Sequence, residues 1–382
     1  MIQTSRLNAV TQMLEELTAR SGADGYLNAG YASLAPDGQA QVFVTGRVSP
    51  AGAWFTDAAT RLRMASISKA ATARAACALV LQDVLPLDVD VTQILAWRDP
   101  PDGLRQHPVT VRHLLSHTSG LTDHAGYLPD VGYSIMSYIG DHAGAISGRV
   151  PGGYFAYANM NYVLLGHVME AATGKRFDRI LRDEVLAPAG IAGGFNWAGV
   201  PLAARANRLA LYQRGATGLV VEADGDDADW QADLIWRGGR GHSFGDYRLA
   251  HDTALMSPHA GLRMNVIEAA RLARFLGDAS PAGQLQRRIA WQHDPATGNG
   301  EDCDGLFTKF GLGLTIYRDH PRIPSHLIGH AGHALGFTGG VWHNVATGMC
   351  HAYFLTGSRD ETEGLDNEVF YGSDELSIMQ QL

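Results

Sequence analysis

The chain has 382 residues, of which 46% are hydrophobic and 18% charged, and its formal net charge is −9. A chain of this length buries enough surface to fold without disulfides or structural metals, which excludes the small stapled proteins. The three cysteines lack the spacing of metal ligands, and the excess of acidic side chains argues against nucleic acid as a partner.

The N-terminal part of the chain predicts a helix, a strand pair and a longer helix. Residues 1–20 have amphipathic spacing, so we interpret them as a helix and not as a signal peptide, and expect a cytoplasmic location. Residues 30–34 and 41–44 have strand character and are joined by the turn sequence Pro36-Asp37-Gly38. Residues 65–85 have the highest helix propensity, and the apolar stretch within them, residues 70–85, is too short and too polar to cross a bilayer.

The middle of the chain indicates a mostly helical insertion, because helical pieces alternate with loops rich in glycine, proline and histidine. Its clearest helices are residues 111–115, 160–172 and 177–186. The acidic segment 222–229 resembles a calcium loop, but Ile235 occupies the position where a bidentate glutamate is needed. We therefore interpret this segment as a solvated loop.

Strand patterns return near the C-terminal end. The predicted elements there are a helix at 266–276, strands at 311–317, 337–343 and 349–354, and a helix at 366–381. Strands at both ends form one sheet if the helical block is inserted between two halves of a domain. The predicted fold is α+β: an antiparallel sheet flanked by helices, formed by residues 1–90 together with 251–382, and an inserted, mostly helical domain of residues 91–250. A cleft is expected where the two meet.

Lysine is scarce, and one lysine lies in a chemically suggestive place. Of the 30 basic residues, 27 are arginine and three are lysine. Lys69 follows Ser66 by three residues at the start of the predicted helix 65–85, so the two side chains share a helix face. Arginine does not give up its proton, whereas a buried lysine can have its pKa lowered and act as a base.

This arrangement predicts an activated serine. The amine can take the proton of the Ser66 hydroxyl, which then attacks a carbonyl, and the amides of the first helical turn favour the negative charge that develops. Ser68 points away from the shared face and is assigned a packing or capping role. Chance spacing of a serine and a lysine is the alternative, which the scarcity of lysine weakens.

Several motifs carry a resemblance to a known family. Ser66-Ile67-Ser68-Lys69 resembles the SxxK motif of the serine beta-lactamase and penicillin-binding-protein superfamily. Residues 109–121 (VTVRHLLSHTSGL), 151–159 (PGGYFAYAN) and 257–263 (SPHAGLR) and the triplet His330-Ala331-Gly332 are similar to stretches of its class C beta-lactamase, esterase and D-aminopeptidase branch. The motifs occur in the same order over residues 25–357.

The resemblance implies a role for each matching residue. Ser66 would be the acylated nucleophile, and Lys69 and Tyr157 would share the proton transfer. A nearby ammonium would favour the phenolate form of Tyr157, and which of the two groups is the base stays open. Asn159 would hydrogen-bond the substrate carbonyl or the Lys69 amine. No cofactor is implied.

The third motif departs from the pattern of many family members. Backbone N–H groups of Ser66 and His333 would form the oxyanion hole, and Gly332 fits a point of close backbone approach. His330 replaces the lysine that begins this motif in many beta-lactamases and transpeptidases, and a mostly neutral histidine is a poor anchor for a carboxylate. This replacement favours esters, or amides and peptides with D-configured or free-amine ends, over beta-lactams.

We therefore expect a serine hydrolase that cleaves an ester or amide bond through an acyl-enzyme on Ser66. Its partner would be a small-molecule ester, amide or short peptide, with no nucleic acid and no membrane, and its oligomeric state stays open. One alternative is a beta-lactamase or DD-carboxypeptidase. Another, of a different class, is a non-catalytic ligand-binding or scaffold protein.

Two other patterns are weaker. Ser243 lies in a G-x-S-x-G sequence, but an apolar strand before it and a helix after it are missing. His113 and His117, and likewise His330 and His333, are spaced like metal ligands. We interpret the first pair as capping or core hydrogen bonding, and the second lacks a carboxylate ligand nearby, so no metal site is predicted.

Overall fold

An eight-stranded antiparallel sheet organises the protein, as seen in a computed structural model. The structure describes residues 2–20, 25–53, 57–215, 218–221, 234–237, 240–303, 305–357 and 371–382. The helices in these ranges are α1 (Ile2–Ala19), α2 (Ile67–Leu81), α3 (Val91–Ile94), α4 (Asp102–Gln106), α5 (Val111–Leu115), α6 (Ile135–Asp141), α7 (Asn159–Thr173), α8 (Phe177–Leu181), α9 (Leu202–Arg205), α10 (Val266–Leu276), α11 (Pro281–Gln286) and α12 (Ser373–Met379). The strands are β1 (Asn28–Leu34), β2 (Ala40–Gly46), β3 (Leu62–Arg63), β4 (Gly194–Phe195), β5 (Tyr212–Gly215), β6 (Gly218–Val221), β7 (Leu234–Arg237), β8 (Arg240–Ser243), β9 (Leu262–Met264), β10 (Trp291–Gln292), β11 (Lys309–Phe310), β12 (Thr315–Tyr317), β13 (Leu327–Ala334), β14 (Phe337–Asn344) and β15 (Cys350–Thr356).

The large sheet joins the two ends of the chain. Its strand order is β10-β11-β12-β13-β14-β15-β1-β2, so β1 pairs with β15 as well as with its hairpin partner β2. Every residue of β1 is buried, because strands flank it on both sides while α1 and α10 contact it. The prediction that strands from both ends form one antiparallel sheet flanked by helices is confirmed.

Helix α2 lies between this sheet and the helical region. Its alanine-rich sequence leaves twelve of its fifteen residues buried, since small side chains allow close approach to β13, α7 and α11. The helix is shorter than the predicted 65–85: it begins at Ile67 and ends at Leu81. Asp83, with φ of 58°, takes the left-handed conformation that stops it.

The strand that carries the third motif was not predicted as a strand. Strand β13 lies between β12 and β14, but glycines and histidines interrupt the apolar alternation that identifies strands in a sequence. The predicted strand 311–317 is wrong over its first half, because Gly313 has φ of 76° and only Thr315–Tyr317 is extended. The predicted helices 111–115 and 266–276 match α5 and α10 in full.

The inserted region holds helices α3 to α9, and it also contains short strands that the sequence did not indicate. Two hairpins, β5–β6 and β7–β8, interrupt it, and β4 pairs with β9 beyond its predicted end. The division into residues 1–90 with 251–382 and residues 91–250 therefore stays a prediction. The acidic segment 222–229 and the start of the predicted helix 366–381 lie outside the described residues.

Among the described residues, no helix combines the length and apolar character that a bilayer crossing requires.

Candidate active site

Ser66 and Lys69 meet where α2 begins. Lys69 Nζ donates a hydrogen bond of 2.9 Å to Ser66 Oγ, as their spacing predicts. Ser66 is the N-cap of α2, yet its side chain makes no capping hydrogen bond, which leaves the hydroxyl to the amine. Ala65 before it has φ of 44°, a strained conformation of the kind that concentrates at functional sites.

The Lys69 amine is enclosed by polar acceptors and by the core. Lys69 is 0% exposed, and Nζ also donates to Asn159 Oδ1 at 2.6 Å and to the His259 carbonyl oxygen at 3.3 Å. Burial lowers the pKa of Lys69 from 10.5 to about 7, against the opposing effect of the Asp123 carboxylate. A substantial fraction of the amine is therefore neutral at pH 7 and able to accept a proton.

Tyr157 approaches the same hydroxyl from the other side. Its phenol hydrogen-bonds the Ser66 side chain, and its ring lies under Lys69 Nζ, 5.1 Å from the centroid. Burial raises the pKa of Tyr157 above 10, and the Asp123 carboxylate adds to the rise. Loss of solvation therefore outweighs the effect that a nearby ammonium would have on the phenol. The parts that Lys69 and Tyr157 take in proton transfer stay predictions.

Asp123, which the sequence did not single out, orients Asn159 and binds the first amides of α7. Its Oδ2 accepts hydrogen bonds from Asn159 N at 2.8 Å and Asn159 Nδ2 at 2.9 Å, and its Oδ1 accepts from Met160 N at 2.9 Å. The carboxylate thereby caps α7, whose N-cap residue Ala158 has no side-chain acceptor. It also turns the Asn159 amide so that the oxygen faces Lys69. The predicted helix 160–172 begins after Asn159, itself a good N-cap residue, so nothing in the sequence indicates that Asp123 supplies the cap.

The backbone of β13 lies against the start of α2. A Cβ atom at Gly332 would lie 2.6 Å from the Met64 carbonyl oxygen and 3.2 Å from Ser66 N, so only glycine permits this approach. Ala334 pairs with Phe337 across a two-residue turn, which makes His333 opposite Thr338 a non-hydrogen-bonded pair. The amide of His333 therefore points away from β14. An oxyanion hole formed by Ser66 N and His333 N, between the start of α2 and β13, remains a prediction.

His330 places no cation beside the serine. It is 3% exposed, and its Nδ1 donates to the Ala331 carbonyl oxygen at 2.5 Å. Burial, followed by the charge of nearby Lys69, lowers the pKa of His330 to about 3, so the ring is neutral at pH 7. This agrees with the neutral histidine expected from the sequence.

The other histidine and serine patterns have structural roles. His113 belongs to a capping box with Thr110, and His117 Nδ1 accepts from Ala158 N at 3.2 Å, as the capping and core interpretation predicts. Ser243 is the last residue of the hairpin strand β8, and its hydroxyl accepts from Gly245 N at 3.1 Å. His333 Nε2 hydrogen-bonds a carboxylate on α12, on the side of the strand away from His330. Across the described part of the chain, no three His, Cys, Asp or Glu side chains converge in a metal-binding arrangement.

Curated relatives match parts of this chain. A penicillin-binding protein 4 of Amycolatopsis lactamdurans is 28% identical over 156 residues, 40% of this chain and 40% of the relative. A D-aminopeptidase of Brucella anthropi is 24% identical over 346 residues, 81% of this chain and 54% of the relative. The chain thus spans about half or less of the length of these two relatives.

Solved structures share the whole architecture. A D-amino acid amidase from Ochrobactrum anthropi SV3, complexed with L-phenylalanine amide, superposes with a TM-score of 0.71 at 19% identity, covering 99% of this chain and 97% of the amidase. EstCE1, a hydrolase with promiscuous acyltransferase activity, gives 0.70 at 19% identity over 99% of this chain and 98% of its own. At such identities the likeness establishes the fold. The beta-lactamase family profile matches residues 14–371, nearly the entire chain, and the protein therefore belongs to the beta-lactamase family.

Proposed function

We propose that this protein is a serine hydrolase that cleaves ester or amide bonds through an acyl-enzyme on Ser66. The observation that carries the proposal is the 2.9 Å hydrogen bond between Lys69 Nζ and Ser66 Oγ, made by an amine whose pKa burial lowers to about 7. An amine poised near neutrality fits the requirement of a general base that works at physiological pH.

The reaction then follows from the positions of the groups. Neutral Lys69 takes the Ser66 proton, Oγ bonds to the carbonyl carbon, and the carbonyl electron pair moves to oxygen. The N–H groups of Ser66 and His333 would stabilise that oxyanion. When the intermediate collapses, the C–O or C–N bond breaks and the leaving group receives the proton from Lys69. Water attacks the acyl-enzyme in a second round with Lys69 again as base, and Ser66 is restored.

Tyr157 and Asn159 assist Lys69 in this proposal. The phenol stays protonated at neutral pH and hydrogen-bonds Ser66, so it is placed to relay the proton of Lys69: it gives its own proton to the leaving group and takes one from the Lys69 ammonium. Asn159 Oδ1, 2.6 Å from Lys69 Nζ, holds the amine towards the serine. With its oxygen committed to Lys69 and its nitrogen to Asp123, Asn159 serves the amine more directly than a substrate carbonyl.

The site best fits substrates that do not place a carboxylate group next to the third motif, His330-Ala331-Gly332. The neutral, buried His330 offers no charge to anchor one. Small esters, and amino acid amides of the kind bound in the related amidase, are the proposed class, with the cytoplasm as the proposed compartment. A beta-lactamase or DD-carboxypeptidase is the second candidate, which similarity to a penicillin-binding protein supports.

Parallel variants of two serines test the proposal. Ser66→Ala should abolish hydrolysis of a short-chain p-nitrophenyl ester and the mass shift left by a fluorophosphonate, while Ser243→Ala should keep both. Undiminished hydrolysis by Ser66→Ala would overturn the mechanism. D- and L-phenylalanine amide and nitrocefin, assayed side by side, separate the amidase from the beta-lactamase candidate. A wild-type protein that neither turns over nor takes up the fluorophosphonate would instead be a binding or scaffold protein.

A further inference from the structure

A buried carboxylate lies on the far side of the sheet from Ser66. Glu375 of α12 is 1% exposed, which is unusual for an acidic side chain. Its two oxygens have separate partners: Tyr353 Oη donates to Oε1 at 2.8 Å, and His333 Nε2 lies 2.5 Å from Oε2. An ionised carboxylate only accepts, so the imidazole carries its proton on Nε2 and donates it to Glu375.

His333 connects this carboxylate to the serine site through its own backbone. Side chains of a strand alternate between the faces of the sheet. Ala331 packs in the same apolar cluster as Tyr353, on the α12 side, whereas a Cβ at Gly332 would point at Ser66 N. The His333 side chain therefore leaves towards α12, while its amide lies in the plane of the sheet and points away from β14. A hydrogen bond that restrains the His333 ring therefore also restrains the position of the His333 backbone amide.

At this point β13 has a neighbouring strand on one side only among the described residues. On the side opposite β14, the pairing of β13 with β12 includes only Leu327, Ile328 and Gly329. From His330 onward, that edge of β13 has no neighbouring strand among the described residues, which leaves room for a substrate beside it. The position of the His333 amide then depends on the β13–β14 hairpin, on the packing of Gly332 against the start of α2, and on the contacts of its ring, among them the link to Glu375.

We propose that Glu375 is a positioning residue, which holds the His333 amide at the place where the oxyanion forms, so that the helix α12 completes the active site. The inference rests on the proposed function, since it assumes acyl transfer at Ser66. Glutamine at position 375 replaces one acceptor oxygen by an NH2 group, so His333 or Tyr353 loses the carboxylate acceptor it has now. The His333 ring can keep a contact with that NH2 group only by moving its proton from Nε2 to Nδ1. The strand edge is then free to shift by the few tenths of an ångström that weaken an oxyanion contact.

The test compares Glu375→Gln with Asp374→Asn. Asp374 is the adjacent residue of α12 and forms a partly exposed ion pair with Arg20 at 3.1 Å, so its variant disturbs the same helix without reaching β13. With a p-nitrophenyl ester, Glu375→Gln should lower kcat about tenfold and change KM less than twofold, because an oxyanion hole acts in the transition state. Affinity for a phenylboronic acid, which forms a tetrahedral adduct, should fall by a similar factor. Asp374→Asn should match the wild type.

The energetic coupling between the His333 and Glu375 variants distinguishes a positioning role of Glu375 from general destabilisation. His333→Phe removes the ring but keeps the amide, and we expect His333→Phe combined with Glu375→Gln to be no slower than His333→Phe alone. Rates are normalised to the sites labelled by fluorophosphonate at completion. If Glu375→Gln does not fold, Tyr353→Phe, which frees Glu375 from one partner, replaces it, with a kcat loss of about threefold expected from the looser carboxylate.

If the folded Glu375 or Tyr353 variant has unchanged kcat and unchanged boronate affinity, the inference is overturned. It is also overturned if the losses of the two single variants multiply in the double variant, or if Asp374→Asn shows the same loss. Full activity of Ser66→Ala would instead refute the proposed function itself.

Discussion

Burial of the Lys69 amine should make the stability of this protein depend on pH. The folded state lowers the pKa of Lys69 from 10.5 to about 7, so between these pH values the unfolded chain binds a proton that the folded chain does not. The free energy of unfolding therefore rises with pH across this window and loses that contribution as the pH falls towards 7. Between pH 7 and pH 10 the change from this one group amounts to about 3 to 4 kcal/mol.

Substituting Lys69 with methionine isolates the effect. Methionine has a similar length and no proton to bind, so the stability of wild type relative to Lys69→Met should increase by about 3 to 4 kcal/mol from pH 7 to pH 10. Titration of the buried tyrosines is common to both proteins and cancels. Hydrogen bonds lost with the amine shift the difference equally at both pH values.

Urea unfolding at the two pH values measures this difference. Lys175→Met is the matched control, because Lys175 is exposed beside the C-terminal end of α7 and burial does not act on its amine. A Lys69→Met difference that is the same at pH 7 and pH 10 within about 1 kcal/mol would refute the reasoning that burial discharges the amine. It would also remove the main physical support for Lys69 as the base.

Kinetics and sterics give two further expectations. The rate constant kcat/KM of the wild type should rise about tenfold from pH 6 to pH 8 as Lys69 loses its proton, and a flat profile would show that another group is the base. Gly332→Ala should lower kcat at least about a hundredfold, because the added methyl lies 2.6 Å from the Met64 carbonyl oxygen and forces β13 away from Ser66. Gly140→Ala, whose methyl meets nothing within 4 Å, is the control, and equal activity of the two variants would contradict the close approach.

The Ser66–Lys69 contact could be predicted because it is local. Two residues three apart on one helix meet whatever the rest of the fold does, and the rarity of lysine drew attention to this pair. Asn159 was found through its motif, and its hydrogen bond to Lys69 matches one of the two roles left open.

The electrostatics of the site could not be predicted in the same way. The pKa of Tyr157 depends on how completely distant parts of the chain exclude water, and a sequence motif does not report that. Asp123 acts on the amine through its charge and through Asn159, from a loop that no pattern marks, and His259 contacts it through a backbone carbonyl, although its segment 257–263 was matched. The same limit applies to β13, where Gly332 serves close approach to Ser66 and helps to erase the apolar alternation that would identify the strand.

The pairing of β1 with β15 has a consequence for how the chain is made. Thr356 Oγ1 donates to Asn28 Oδ1 across 328 residues of sequence, and the strands between which this bond forms are neighbours in the finished sheet. On a ribosome, β1 and α2 emerge long before β13 and β15, the strands they pack against. Their apolar surfaces therefore stay exposed until nearly the whole polypeptide has been synthesised. Such long-range pairing slows folding and favours association between nascent copies.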